Sequence, residues 1–284
     1  MDARVEQGSI QMTLRGPRPA FEAEYWDAVI TEWHAGGLQQ LWRAHSDAVN
    51  VGLCRRWWPH TEVNRMLKTD LFDEACGEGL FAFLSARVPA VVGIDRSVEV
   101  SRVARARLGA ARIAAADVRR LPFADGSFEL VVSNSTLDHF ERHEEIAKSL
   151  QEINRVLTPD GRLILTLDNP ANPVVALRNS LPFWLTNGVG LVPYFVGATC
   201  GPWRAARMLA EAGFNRIAVT AVTHCPRVLA VAAAAVCQRI GSVGAQRRFL
   251  RLLTAFEHLE RWPSRYQTGH YVALLAEKTG KRSA

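Results

Sequence analysis

No CxxC pair links the five cysteines of this 284-residue chain, and their number is odd. That pattern excludes a disulfide framework and argues against a thiolate zinc site; reduced thiols and a cytoplasmic location are the expectation, with no metal called for. No uninterrupted apolar run reaches about 18 residues, so no membrane-spanning helix is expected. The longest such stretch, Val228 to Cys237, is short and alanine-rich. The first twenty residues carry Asp2, Glu6 and scattered arginines in place of an apolar core, which speaks against a secretory leader. Acidic residues are scarce towards the C-terminus: residues 171–284 hold 14 Lys+Arg against 4 Asp+Glu, although the whole chain carries only +6. Such a basic part suits nucleic acid, an anionic lipid surface or an acidic small substrate, and equally a solvated arginine-rich surface.

What is present is an ordinary folded composition, 48% hydrophobic and 22% charged with 20 Gly and 13 Pro, enough for one large domain or two small ones. Residues 21–59 have a helical pattern crowded with aromatics (Tyr25, Trp26, Trp33, Trp42, Trp57, Trp58), broken at Gly36-Gly37. From Met66 onward, apolar strands that end in acidic or polar residues alternate with helix-length segments, the signature of βαβ units. The strands are placed at 67–74, 90–95, 112–116, 128–134, 162–168, 215–222 and 270–277, with helices near 79–88, 98–109, 142–157 and 202–213. Pro159-Asp160-Gly161 reads as the turn into the fifth strand. The expected fold class is α/β: a doubly wound, seven-stranded, mostly parallel sheet. Residues 1–65 form an N-terminal helical lid segment, and 66–284 the main domain. Its two insertions, 169–200 and 224–268, complete the lid.

In such sheets, ligands bind beyond the carboxyl ends of the strands. The first strand is expected to end at Asp73, followed by Glu74-Ala75-Cys76-Gly77-Glu78-Gly79 and a helix from Leu80. Glycines at that place let backbone approach a ligand, and a helix N-terminus offers free N–H groups. The second strand ends in Asp95, placed to accept ribose hydroxyls, and the third runs into Asp117-Val118, placed to meet an exocyclic amine. Each of these carboxylates taken alone reads equally well as a cap or turn residue. Three successive strands ending this way are harder to dismiss.

The run Leu71 to Gly79 resembles the first motif of class I S-adenosylmethionine-dependent methyltransferases, and Val91 to Asp95 their second acidic motif. Asp117 with Leu121 to Ser133 is similar to the stretch that marks the small-molecule branch (methyltransferase type 11-like), and Arg155 to Gly161 completes the set. The resemblance covers about residues 66–170. It implies that the sheet is Rossmann-like with an antiparallel last strand, that S-adenosylmethionine is the methyl donor and that S-adenosylhomocysteine is the product. Asp73 would meet the methionine amino end, and the backbone at Ala75, Gly77 and Gly79 would line that moiety. Asp95 would hold the ribose, Asp117 the adenine amine, Val118 the ring through its N–H, and Asn134 the sulfonium through its carbonyl. Ala75 departs from the family, which usually has glycine there.

After the fourth strand, Asp138-His139 falls beside the expected donor site, and His139 has the side chain suited to act as base for a hydroxyl acceptor; packing behind the loop is the alternative. Tyr25, Asn169, Asn172 and Tyr194 are the candidate acceptor contacts. Trp42 and Trp57 read as core residues. The reading that fits best is methyl transfer to a small molecule, with oxygen slightly preferred. Three alternatives stay open: an enzyme acting on nucleic acid, one acting on a lipid or quinone at a membrane surface, and an inactive donor-binding partner subunit. A [DNS]-P-P-[FYW] signature is absent, so no nucleic-acid partner is expected, and the glycine spacing does not give the G-x-G-x-x-G of a nicotinamide enzyme.

Overall fold

The computed structural model describes residues 23–36, 39–109, 111–188 and 194–280. Helices α1 (Ala23–Gly36) and α2 (Gln40–Arg56) precede β1 (Arg65–Lys68), the short helices α3 (Phe72–Cys76) and α4 (Phe81–Ser85), and β2 (Ala90–Asp95). Next come α5 (Val98–Leu108), β3 (Arg112–Ala115), β4 (Phe128–Asn134), a 3-10 turn (Leu137–His139), α6 (His143–Val156) and β5 (Leu157–Asp168). The remainder is α7 (Pro173–Ser180), α8 (Phe183–Gly188), α9 (Pro202–Glu211), β6 (Phe214–Val222), α10 (Arg227–Ile240), α11 (Val243–Ala255), a second 3-10 turn (Phe256–Arg261), α12 (Arg265–Thr268) and β7 (Tyr271–Lys278).

The strand order is β3-β2-β1-β4-β5-β7-β6. β7 is antiparallel to both β5 and β6, and the other described pairs are parallel. The expected seven-stranded sheet with one antiparallel strand is therefore present. Alternation along the strands builds two cores. Met66, Leu130, Val132, Ile164 and Leu275 face one side, with Tyr25, Val29 and Ile30 of α1 and Leu53 of α2 buried against them. Leu67, Val131, Leu163, Leu165 and Leu274 face the other, under Ile146, Leu150 and Ile153 of α6 and Leu209 of α9. A parallel sheet needs both faces covered, and helix-spaced apolar residues supply the cover. Trp57 belongs to the first core, whereas Trp42 packs with α10 and α11.

Two local expectations are corrected. The first strand ends at Lys68, and Phe72–Cys76 is a helical turn, so Asp73 sits inside a helix and not at a strand end. Asp70 explains the change: its carboxylate accepts the Phe72 N–H at 3.1 Å and so turns the chain just after the strand. The chain from Pro159 to Gly161 is not a turn ahead of the strand but an irregularity within it, between the pairs Phe128–Leu157 and Leu130–Arg162. Asp160, at φ +61°, carries the distortion.

Candidate functional site

The chain order reverses between β1 and β4, and the site opens beyond the carboxyl ends of those strands. Two adjoining cavities occupy it. The smaller, about 60 Å³, is lined by Asp70, Asp95, Arg96, Asp117, Val118 and Thr136, among others. The larger, about 630 Å³, draws its wall from α1 and α2 (Trp26, Trp33, Trp42, Arg43), from the segment after β5 (Arg178, Tyr194) and from α10 and β7 (Arg227, Tyr271). Trp26, Asp70, Phe72 and His139 line both.

The smaller cavity is a carboxylate corner. Asp95 is buried and accepts the Ser97 N–H at 2.8 Å and the Leu71 N–H at 3.1 Å, which fixes its carboxylate at the end of β2. Burial pushes its carboxyl up to about 6, with those two N–H groups working the other way. Burial also lifts Asp70 well above the ordinary aspartate value, with the Lys68 ammonium opposing and Asp95 and Asp73 adding to the rise. Asp117 differs. Burial alone would raise it, yet Arg119, whose Nε lies 3.0 Å from each carboxylate oxygen, holds it below its ordinary value. Crowded carboxylates that resist ionisation are complementary to a cation, and a sulfonium donor brings one.

Asn134, 8% exposed, lines the larger cavity with neither amide atom hydrogen-bonded, although its carbonyl accepts the Thr136 hydroxyl at 3.3 Å. A buried amide without a partner costs stability unless a polar ligand completes it. The donor set therefore fits S-adenosylmethionine: Asp95 for hydroxyls, Asp117 and Val118 for a base, Asn134 for a polar group.

The glycine run behaves otherwise than expected. Ala75, Gly77 and Gly79 line neither cavity. Their turn wraps a buried carboxylate, Glu74, which bonds Lys68 at 2.9 Å and accepts the N–H groups of Leu80 and Phe81 at the start of α4. Gly79 has φ +60°, and a Cβ there would lie 2.5 Å from the Glu74 carboxyl. Gly79→Ala should therefore lower stability by at least about 1 kcal/mol, from the left-handed conformation and the clash together, as read by urea denaturation. Asp73 lines the larger cavity and pairs with Arg43 at 2.7 Å, the guanidinium lying 4.7 Å from the Trp33 ring centre.

His139 stands on the wall common to both cavities, against Trp26 and Tyr194 with ring centres 4.7 and 5.6 Å away. Its Nδ1 is 3.0 Å from the Phe195 carbonyl. A carbonyl only accepts, so Nδ1 carries a proton, and in the neutral ring Nε2 is then the nitrogen with the lone pair. Asp138 does not orient the ring; its carboxylate accepts from the Ser135 hydroxyl and the Asp168 N–H, both at 2.9 Å.

Of the expected acceptor contacts, Tyr194 alone lines either of these two cavities. The placement of Tyr25 is corrected: it is buried in the core, its oxygen accepting the Phe195 N–H at 2.9 Å, and helix phase turns Trp26 to the cavity in its stead. Asn169 and Asn172 are also corrected. Asn169 clamps the carbonyls of Tyr266 and Gly269, and Asn172 caps α7 through the Val174 N–H while bonding the Thr268 carbonyl. Both join the segment after β5 to α12 and the residue that follows it, as polar residues in a tight buried connection do. The sequence reading missed Asp70, hidden because Leu71-Phe72 prolong the apparent strand. It also missed Arg178, Arg227 and His270, which lie far apart in the chain and carry no motif.

A family model described as a methyltransferase domain matches residues 72–165. Demethylmenaquinone methyltransferase of Thermus thermophilus is 32% identical over 166 residues, 51% of this chain and 74% of that protein. A protein of Encephalitozoon cuniculi named as a methyltransferase is 35% identical over 95 residues, but this chain spans only 43% of its length. In fold, an S-adenosylmethionine-dependent methyltransferase from Mesorhizobium loti superposes with a TM-score of 0.54 at 18% identity, covering 82% of this chain and all of that one. With the carboxylates at or just beyond the ends of β1, β2 and β3, the switch-point site and the Thermus match together, the chain belongs to the class I S-adenosylmethionine-dependent methyltransferases.

Proposed function

We propose that the chain moves the methyl group of S-adenosylmethionine to a hydroxyl of a small acceptor held in the larger cavity, with His139 as the base. The observation that carries this is the placement of His139 where the two cavities meet, its Nδ1 tied to the Phe195 carbonyl. The donor supplies, when bound, a methyl group already activated on sulfur. The protein's part is then to align an acceptor and accept its proton. Asp95 and Asp117 would hold the nucleoside, and Asn134 and Asp70 would face the polar, cationic end. Helices α1 and α2 and the described parts of the segments 169–200 and 224–268, which furnish the cavity wall, would act as the cover over the acceptor. Ala75, Gly77 and Gly79 would support the donor site from behind, through Glu74.

The Thermus relative is named for demethylmenaquinone, a small acceptor. A lipid or quinone taken up at a membrane surface is favoured by exposed apolar side chains at the cavity, among them Leu177 and Val228. The experiment is transfer of radioactive methyl from the donor into a cell extract, followed by fractionation. Label in the low-molecular-weight or solvent-extractable fraction is the expected result, and label in RNA or DNA would overturn the small-acceptor reading.

Asp95→Ala should weaken S-adenosylhomocysteine binding by about 1.5–3 kcal/mol, the worth of hydrogen bonds to a charged group, or roughly 10- to 150-fold in Kd. The pH dependence follows in sign. Asp95 is ionised above about pH 6 and protonated below it. Ribose hydroxyls bind the ionised form better, so affinity should be full above that pH and decline below it, by up to about tenfold per unit. Calorimetry between pH 5 and 8 measures this, and a flat profile would take Asp95 out of the ribose role.

A further inference from the structure

One stretch of the larger cavity's wall carries two guanidiniums, Arg178 and Arg227, of which only Arg178 has a carboxylate partner among the described residues. Asp168, buried at the end of β5, has Arg178 at 2.6 Å and His270 at 3.5 Å. Arg227, from the first turn of α10, makes two hydrogen bonds among the described residues: to His270 Nε2 at 2.8 Å and to the Tyr194 hydroxyl at 3.3 Å. A guanidinium only donates, so His270 Nε2 accepts and the imidazole is neutral. Burial and then Arg227 push His270 down to about 3, in keeping with that state. Arg178 thus pairs directly with Asp168, beside which the buried Asp138 carboxylate also lies, whereas Arg227 touches neither carboxylate and both of its bonds end on neutral atoms. A recessed charge held this way gains from a counter-ion.

The same cavity is apolar elsewhere. Trp26, Trp33 and Trp42 line it, and Leu177, Leu181 and Val228 line it while remaining exposed. Tyr194 bridges the two regions, its ring beside His139 and its hydroxyl on Arg227.

From this arrangement we infer that the acceptor is an anionic amphiphile. A carboxylate or phosphate group on the acceptor sits at Arg227 and Arg178. The atom to be methylated lies about one tyrosine side chain away, beside His139. The apolar body runs along the tryptophans and leaves past Leu177 and Val228. This rests on the reading of the larger cavity as the acceptor site and adds the acceptor's charge class to it.

The test titrates the full chain, saturated with S-adenosylhomocysteine, with decanoate, decyl phosphate and decyltrimethylammonium, following tryptophan fluorescence and heat. The two anions should bind, the cation of equal chain length at least tenfold more weakly, and the stronger anion identifies the head group. Arg227→Gln should weaken the preferred anion at least tenfold, with Arg227→Lys recovering part of the loss. Should Arg227→Gln fail to fold, as circular dichroism would report, the comparison of anion with cation in the wild type decides alone. Equal binding of both charges, or an unchanged Kd in folded Arg227→Gln, overturns the inference. Separate titration of S-adenosylhomocysteine distinguishes the two levels. Donor binding without anion preference sinks this inference and spares the methyl-transfer reading, while anion binding without donor binding does the reverse.

Discussion

His139→Ala is expected to cut turnover on a hydroxyl acceptor by about 10²–10⁴-fold, the usual contribution of a positioned general base. S-adenosylhomocysteine affinity should stay within about twofold of wild type, because no donor contact is assigned to the ring. The reason for expecting a base and not a packing residue is the tautomer. The Phe195 carbonyl 3.0 Å from Nδ1 makes Nε2 the acceptor nitrogen of the neutral ring, on a wall common to both cavities. His139→Gln provides a sharper comparison, since it keeps polarity and much of the volume but has no basic nitrogen. Turnover lost in both variants with donor Kd retained supports the base. Near-wild-type turnover in either would return His139 to packing against Trp26 and Tyr194.

Breaking the Lys68–Glu74 pair is expected to cost about 3–5 kcal/mol of stability, as loss of one partner from a buried ion pair does. The two side chains are 2% and 0% exposed, with their charged atoms 2.9 Å apart. Burial works to discharge the ammonium, but Glu74, with Asp70 and Asp73, holds Lys68 above the ordinary lysine value. Glu74→Ala removes the counter-charge and also the acceptor for the first N–H groups of α4. The double variant Lys68→Met with Glu74→Gln should lose less than the two single changes summed, since neither charge is then stranded. Urea denaturation of wild type, Lys68→Met, Glu74→Gln and the double variant measures the coupling, with Glu74→Ala measured beside them. A cost below about 1 kcal/mol for Glu74→Ala would mean that water or another group reaches Lys68.

That pair also shows where the sequence was legible and where it was not. The strands and helices could be read because a sheet buried on both faces leaves short continuous apolar runs in the strands and a period of about 3.6 in the helices, whereas the antiparallel β7 was legible only through the family resemblance. Asp95 and Asp117 were legible because short strands followed by turns fix where they end. The first motif was read correctly as a landmark and incorrectly as a shape. Glu74, a charged residue in an apolar setting, was read as part of a ligand-binding loop, whereas it ties that loop to Lys68. Nothing local in the sequence distinguishes a glycine needed beside a cofactor from Gly79, needed beside a buried carboxylate. The arginine wall was illegible for another reason. Asp168, Arg178, Arg227 and His270 meet only once β5, α7, α10 and β7 are assembled.

The central claim, that the carboxylates beyond β1, β2 and β3 form the donor site, is tested most directly by calorimetric titration of the full chain with S-adenosylhomocysteine at pH 7.5, alongside Asp95→Ala. The account predicts one site of roughly micromolar or tighter affinity in the wild type, weakened about 10- to 150-fold by the substitution. No heat of binding in a folded wild-type protein, or equal affinity in the two proteins, would contradict it.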